Sequence, residues 1–192
     1  MIEEIKKNIF KFSYSSNFYY YKNLNLLIDC GCRSDLEDIK KEFSQIDDFS
    51  NVKHIVFTHL HYDHIGNFNL FKDANFYCSK QAIEDFNISA IDCILEPIIS
   101  KEFSLKVKLI DVKDINENLK NKFKVIYTPG HTSGSICLLD KKNSILFSGD
   151  TLFYNNVFGR YDLPTSKPIL YNDSLKQIFN MDYEILCPGH DY

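Results

Sequence analysis

Glycine is scarce in this chain, with only 7 among 192 residues, well below the average share. The seven are Gly31, Gly66, Gly130, Gly134, Gly149, Gly159 and Gly189, so where each one falls is informative. Tryptophan is absent beside 12 Tyr and 16 Phe, a compositional bias that carries no function by itself. No apolar run approaches the ~18 residues of a membrane helix, which excludes a membrane-spanning helix. The first residues, Met1 to Lys7, mix charges and lack an apolar core, so they do not read as a secretory signal; the expected location is the cytoplasm. Six cysteines (Cys30, Cys32, Cys78, Cys93, Cys137, Cys187) contain no CxxC pair. A cysteine zinc ribbon is therefore excluded, and buried, reduced thiols are expected. Nor is there an excess of positive charge: 22 Lys+Arg stand against 26 Asp+Glu, a net −4. That balance argues against a broad basic face for nucleic acid. Repeats, low-complexity tracts and Gly/Ser/Pro linkers are also missing, so a single domain over residues 1–192 is expected.

What remains is the composition of one soluble globular domain, 44% hydrophobic and 25% charged, long enough to bury a sizeable core. Strand patterns are predicted at Ile9–Tyr14, Phe18–Tyr21, Leu24–Ile28, His54–Phe57, Phe76–Cys78, Val107–Ile110, Phe123–Tyr127, Ile136–Leu139, Ile145–Phe147 and Glu184–Cys187. Helices are predicted from Ser34, with Glu37 completing a capping box, to about Phe43 or Ile46, then over His64–Phe71, Ala82–Phe86 after Ser79, and Ser166–Phe179 with Pro168 in its first turn. In Asn87–Lys106 the pattern is ambiguous, and Pro97 is expected to break it. Strands outnumber the interspersed helices, so the fold class is mixed α/β, with sheets covered by helices.

The histidines are as few as the glycines, and the two keep company. Thr58-His59-Leu60-His61-Tyr62-Asp63-His64 holds four candidate metal ligands within six residues. In extended chain His59 and His61 face the same side. The expected helix start near Asp63 and His64 aims those two differently, so one segment can serve two adjacent metal positions. Three further strands each run into a glycine followed by a ligand-type residue: Pro129-Gly130-His131, Ser148-Gly149-Asp150 and Pro188-Gly189-His190. A glycine there permits a sharp turn and keeps a Cβ from crowding the site. Five of the six histidines are used in this way; His54, at a strand start, reads as structural. Arg160 and Asp162 lie in a loop just past Asp150. Their charges suit either a surface ion pair or the binding of an anionic substrate.

With HxHxDH at His59–His64, then His131, Asp150 and His190 in order, the sequence resembles the metallo-β-lactamase superfamily from about Ile28 onward. Gly149-Asp150-Thr151-Leu152-Phe153 followed by Gly159-Arg160-Tyr161-Asp162 is similar to its glyoxalase II-like (hydroxyacylglutathione hydrolase-like) branch. The resemblance implies a four-layer αββα sandwich with a dinuclear site at one edge of the sheets. It implies one metal on His59, His61 and His131, a second on Asp63, His64 and His190, and Asp150 bridging. Imidazole and carboxylate donors suit Zn²⁺ above all, and also Fe or Mn. The implied activity is hydrolysis of a small thioester or ester by a metal-bridging hydroxide, with Asp63 as a ligand that also orients and deprotonates the water. A helical C-terminal domain that contacts glutathione in glyoxalase II enzymes is not expected in residues 1–192. Alternatives are a mononuclear-iron persulfide dioxygenase, which shares much of this text, a lactonase, and an RNA-processing nuclease. Flavodiiron-type reductases typically place Glu where His61 stands. The expected partner is a small-molecule substrate, neither nucleic acid nor membrane.

Overall fold

The computed structural model describes all residues, 1–192. Its first sheet has seven strands in chain order: β1 (Ile2–Lys6), β2 (Ile9–Ser13), β3 (Asn17–Tyr21), β4 (Leu26–Ile28), β5 (His54–Val56), β6 (Asn75–Cys78) and β7 (Leu109–Asp111). The first three pairings are antiparallel and the remaining three parallel. Parallel neighbours need crossovers, and these carry α1 (Leu36–Phe43), α2 (Tyr62–Ile65), α3 (Lys80–Ile88), α4 (Ala90–Ile94) and α5 (Pro97–Lys106). After α6 (Glu117–Lys122), the second sheet comprises β8 (Lys124–Tyr127), β9 (Ile136–Asp140), β10 (Ile145–Gly149) and β11 (Ile185–Pro188), in the order β11-β10-β9-β8. Its single parallel pair, β10 with β11, is joined through α7 (Pro168–Phe179).

Alternating side chains explain the layers. In β3, Phe18 and Tyr20 point into a core shared with α1 residues Ile39 and Phe43. Tyr19 and Tyr21 point the other way and meet Ile136, Leu138, Ile145 and Phe147 of the second sheet. Cys137, Leu139 and Leu146 leave the far face of that sheet and pack under Tyr171, Leu175 and Ile178 of α7. Three cores separate four layers, helix, sheet, sheet, helix, because each central strand is buried on both faces. This is the expected αββα sandwich. All six cysteines are buried and free, and no helix is long and apolar enough to cross a membrane.

Several local expectations are corrected. Strand β1 and helix α6 were not legible, the first being charge-rich and the second a short polar segment. Ser34 does not cap α1: a 3₁₀ turn over Arg33–Asp35 precedes the helix, and the Ser34 hydroxyl contacts Cys32 Sγ at 3.2 Å. The helix predicted over His64–Phe71 stops at Ile65. There Asn67 turns inward and donates to the Cys30 and Cys32 carbonyls at 3.1 and 2.7 Å, so its side chain holds another loop. The break expected at Pro97 falls directly before it, where α4 ends at Ile94. Pro97 itself opens α5, whose first turn is capped by Glu96 accepting from the Ile99 amide at 2.6 Å, as a first-turn proline should.

Candidate metal centre

The C-terminal ends of β5, β8, β10 and β11 deliver the seven predicted residues to one place. Beyond β5 the chain bends at Thr58 and His59, is extended at His61, the cap position, and then enters α2. This change of direction separates Asp63 and His64 from His61, as the spacing predicted. The donor atoms of His59, His61 and His131 lie within 4.8 Å of one another, and so do those of Asp63, His64 and His190. Asp150 reaches both groups. Its Oδ1 is 3.2 Å from His64 Nε2, and its Oδ2 is 3.5 Å from His131 Nε2 and 3.4 Å from His190 Nε2. Asp63 Oδ2 sits 3.3 Å from His190 Nε2.

Four of these imidazoles are oriented from behind. His59 Nδ1 is 3.1 Å from the Thr58 hydroxyl, His64 Nδ1 is 2.9 Å from Asp29 Oδ2, His131 Nδ1 is 2.7 Å from the Arg160 carbonyl, and His190 Nδ1 is 2.8 Å from the Ser15 carbonyl. With each Nδ1 engaged outward, each Nε2 is turned toward the centre. His61 faces inward through Nδ1, 2.9 Å from His131 Nε2. His59 Nε2, His64 Nε2 and Asp150 Oδ1 are buried without a hydrogen-bond partner. Buried polar atoms are almost always paired, so converging nitrogen and oxygen atoms without a hydrogen bond fit a site shaped for a cation. The donors fit divalent metals that accept imidazole and carboxylate.

Asp29 is a residue that sequence reading passed over. Besides His64, it accepts from the Thr58 amide and hydroxyl, both at 2.8 Å, so one buried carboxylate sets the HxHxDH loop and aims two histidines. Its signal was present: a lone acid directly after the wholly apolar Leu26–Ile28. A second group fixes His190 from below. Lys11, 7% exposed, pairs with Asp191 at 2.6 Å. Asn17 donates to Asp191 and to the Pro188 carbonyl at 2.9 and 3.1 Å, and the Tyr19 hydroxyl donates to Pro188 at 2.7 Å.

The glycines divide in their purpose. A Cβ at Gly189 would overlap Asp150 Oδ1 and lie 2.7 Å from His64 Cε1, so here the glycine keeps the centre itself clear. Gly149 has φ +49, and a Cβ there would stand 2.5 Å from Thr58 Oγ1. At Gly130, by contrast, the obstacle is the Tyr171 ring of α7; this glycine serves helix packing, not approach to the metal positions.

Electrostatics separates the two groups. Burial, reinforced by neighbouring imidazoles, holds His59 well below its usual range and His61 at about 3. His131 is lowered by burial as well. For His64, burial alone would lower it, but the carboxylates of Asp150, Asp63 and Asp29 outweigh burial and hold it well above. His190 is likewise raised, to about 9, by Asp150 and Asp63 against burial. Asp150 is held well below the carboxylate range despite burial, chiefly by His64.

A pocket of about 320 Å³ opens over the group, and His61, Asp63, His131, Asp150 and His190 form its floor. Arg160 lies on its wall. The exposed Arg160 guanidinium makes a two-pronged contact with Asp162 at 2.8 and 3.0 Å. Asp162 is not part of the lining, so the structure brings Arg160 to the pocket and leaves Asp162 outside. His54 stands away from the centre, 3.3 Å from the Tyr77 hydroxyl and 3.2 Å from Asn116.

A helix-flanked double sheet carrying a His/Asp cluster on the loops at one end defines the metallo-hydrolase class of protein. The sequence profile of the metallo-β-lactamase superfamily matches residues 12–190. A probable metallo-hydrolase of Methanocaldococcus jannaschii is 32% identical over 189 residues, covering 93% of this chain and 89% of its own. The chain belongs to the metallo-β-lactamase superfamily. A hydroxyacylglutathione hydrolase of Pelagibacter ubique is 26% identical over 176 residues, 91% of this chain and 66% of that protein. Among solved structures, TTHA1623 in a di-iron-bound form superposes with a TM-score of 0.69 at 22% identity, covering 95% of this chain and 92% of that one, a likeness of fold.

Proposed function

We propose that this chain is a dinuclear metal-dependent hydrolase acting on a small thioester. The observation that carries the reading is the complete ligand set: His59, His61 and His131 on one side, Asp63, His64 and His190 on the other, and Asp150 within 3.5 Å of both. When bound, two divalent cations, with Zn²⁺ first and Fe or Mn as alternatives, supply water activation near neutral pH and stabilisation of developing negative charge. The rest falls to the chain. His59, His61 and His131, kept neutral by burial, offer lone pairs rather than protons. Asp63 is 21% exposed in its side chain, ionised, and faces the pocket from the floor. That position suits a ligand that also orients the attacking water and accepts its proton. The similarity to a hydroxyacylglutathione hydrolase supports a thioester as the bond cleaved.

A second reading rests on the subset His59, His64 and Asp150, whose donors also lie within 4.8 Å of one another. Two histidines and one carboxylate with open positions is the pattern of mononuclear iron oxygenases, which keeps a persulfide dioxygenase as the alternative. One experiment separates the two. Chelator-stripped protein is reloaded with zinc, iron or manganese and assayed on thioesters, lactones and glutathione persulfide with an oxygen electrode. Metal-restored thioester hydrolysis without oxygen uptake is expected. Absence of any metal-restored hydrolysis overturns the proposal, and iron-dependent oxygen uptake on the persulfide establishes the alternative.

A further inference from the structure

Above its floor of ligands, the pocket is greasy in a way the hydrolase reading does not require. Leu95, Phe153, Val157, Phe158 and Leu163 line it. Val157 and Phe158 are each 44% exposed, an arrangement that leaves large apolar area in water unless something covers it. The segment bearing them is closed by a hydrogen bond of its own and fastened to the centre through Gly159 and Arg160. Phe153 donates its amide to the Val157 carbonyl at 2.6 Å and Gly159 to Asp150 at 3.1 Å, while the Arg160 carbonyl holds His131. A Cβ at Gly159 would collide with the Asp150 carbonyl and reach within 2.9 Å of His131 Nδ1. This rim is therefore set against the ligands themselves. Opposite it, Leu95 terminates α4 in a left-handed conformation, φ 65, a position where glycine or asparagine is usual. A leucine held there at a helix end places apolar surface on the pocket wall.

Charge points the same way. Arg160 is the only lysine or arginine of the lining, and its guanidinium is already engaged by Asp162 through two contacts. A single exposed cation, shared with Asp162, is a poor match for the several carboxylates of a peptide thiol or the phosphates of a nucleotide carrier. At about 320 Å³ the space is at the small end of ligand pockets.

We propose that the pocket selects the acyl group, and that the substrate is a thioester of an apolar, unsubstituted acyl chain of short to medium length rather than a hydroxyacyl group recognised through an anionic carrier. This inference rests on the hydrolase reading. The step is plain hydrolysis: the oxygen of water bonds to the thioester carbonyl carbon, the carbon–sulfur bond breaks, and the sulfur leaves as a thiol carrying a proton from that water. Nothing is oxidised or reduced, and the products are a carboxylic acid and a thiol.

The test uses the full chain loaded with zinc and a series of N-acetylcysteamine thioesters from acetyl to decanoyl, beside the lactoyl thioester and S-lactoylglutathione. Specificity, kcat/KM, is expected to rise about fourfold per added methylene until the pocket is filled, with both lactoyl substrates well below hexanoyl. Phe158→Ala and Leu95→Ser are expected to lower hexanoyl turnover several times more than acetyl turnover, with metal content unchanged. A flat or falling chain-length profile, or S-lactoylglutathione above the hexanoyl thioester, overturns the inference and leaves the hydrolase reading standing. No hydrolysis of any thioester by protein holding two metals overturns both.

Discussion

The two halves of the centre are made of different material. His59, His61 and His131 form a buried group with no carboxylate of its own, and all three have their proton affinity depressed, with burial as the first cause. Asp63, His64 and His190 include a carboxylate, lie beside Asp150 and open through Asp63 to the pocket. There the histidines hold protons more tightly than usual. A cation entering the first half meets ready lone pairs, whereas one entering the second must displace protons. The first position should therefore fill first, and the second should answer to pH.

The largest effect is expected where the halves meet. Asp150→Ala should lower bound metal to between zero and one per chain by elemental analysis and abolish turnover; full metal content would refute the bridging role. Next, Asp63→Asn should remove the pocket-facing carboxylate. Hydrolysis should fall about 10²–10⁴-fold if it accepts the proton as proposed, with the three-histidine position still able to bind one metal. Retained rates would reassign the base.

The sharpest comparison comes from calorimetric zinc titration of the metal-free chain at several pH values. His190 titrates near 9 in the folded chain against about 6.5 unfolded. Affinity of the second equivalent should thus rise with pH up to about 9, by about tenfold per pH unit for one displaced proton. The first equivalent should vary little above pH 6.5, because His61 has already lost its proton down to about 3. Folding stability carries both signs. The raised His190 contributes stability present below about 6.5 and lost as pH rises through about 9. The depressed His61 removes stability as pH falls from about 6.5 toward 3, where the unfolded chain takes up a proton that the folded chain refuses. Identical pH dependence for both equivalents would erase the distinction.

A smaller effect should follow from Lys11→Met. Losing the partner of Asp191 loosens the segment bearing His190, so the second metal should bind about tenfold more weakly while the first is unmoved. Smallest of all, Arg160→Gln breaks an exposed pair and should leave the melting temperature within about 1–2 °C.

What could be read in advance, and what could not, follows the same division between local and distant contacts. The clustering of the seven proposed ligands was legible because its signal is local: HxHxDH occupies six consecutive positions, and three strands each run into a glycine before a histidine or aspartate. The sandwich was legible through the alternating apolar strands such as β3. Asp29 carried only the hint of a lone acid after an apolar strand and the Lys11–Asp191 pair carried none, because strands distant in sequence bring them to their partners: Asp29 meets His64 across 35 residues, and Lys11 meets Asp191 across 180. Gly130 was assigned the wrong obstacle for the same reason, since Tyr171 reaches it from α7. The helices of Asn87–Lys106 escaped notice because Ser89 and Glu96 act as caps within five and ten residues of polar-apolar text with no clean period.

The central claim is that these side chains hold two cations and that both are needed for hydrolysis. Titrating the metal-free chain with zinc while following thioester hydrolysis tests it most directly. The account predicts that activity reaches its plateau at two equivalents per chain. A plateau at one equivalent or fewer, or hydrolysis indifferent to added metal, would contradict it.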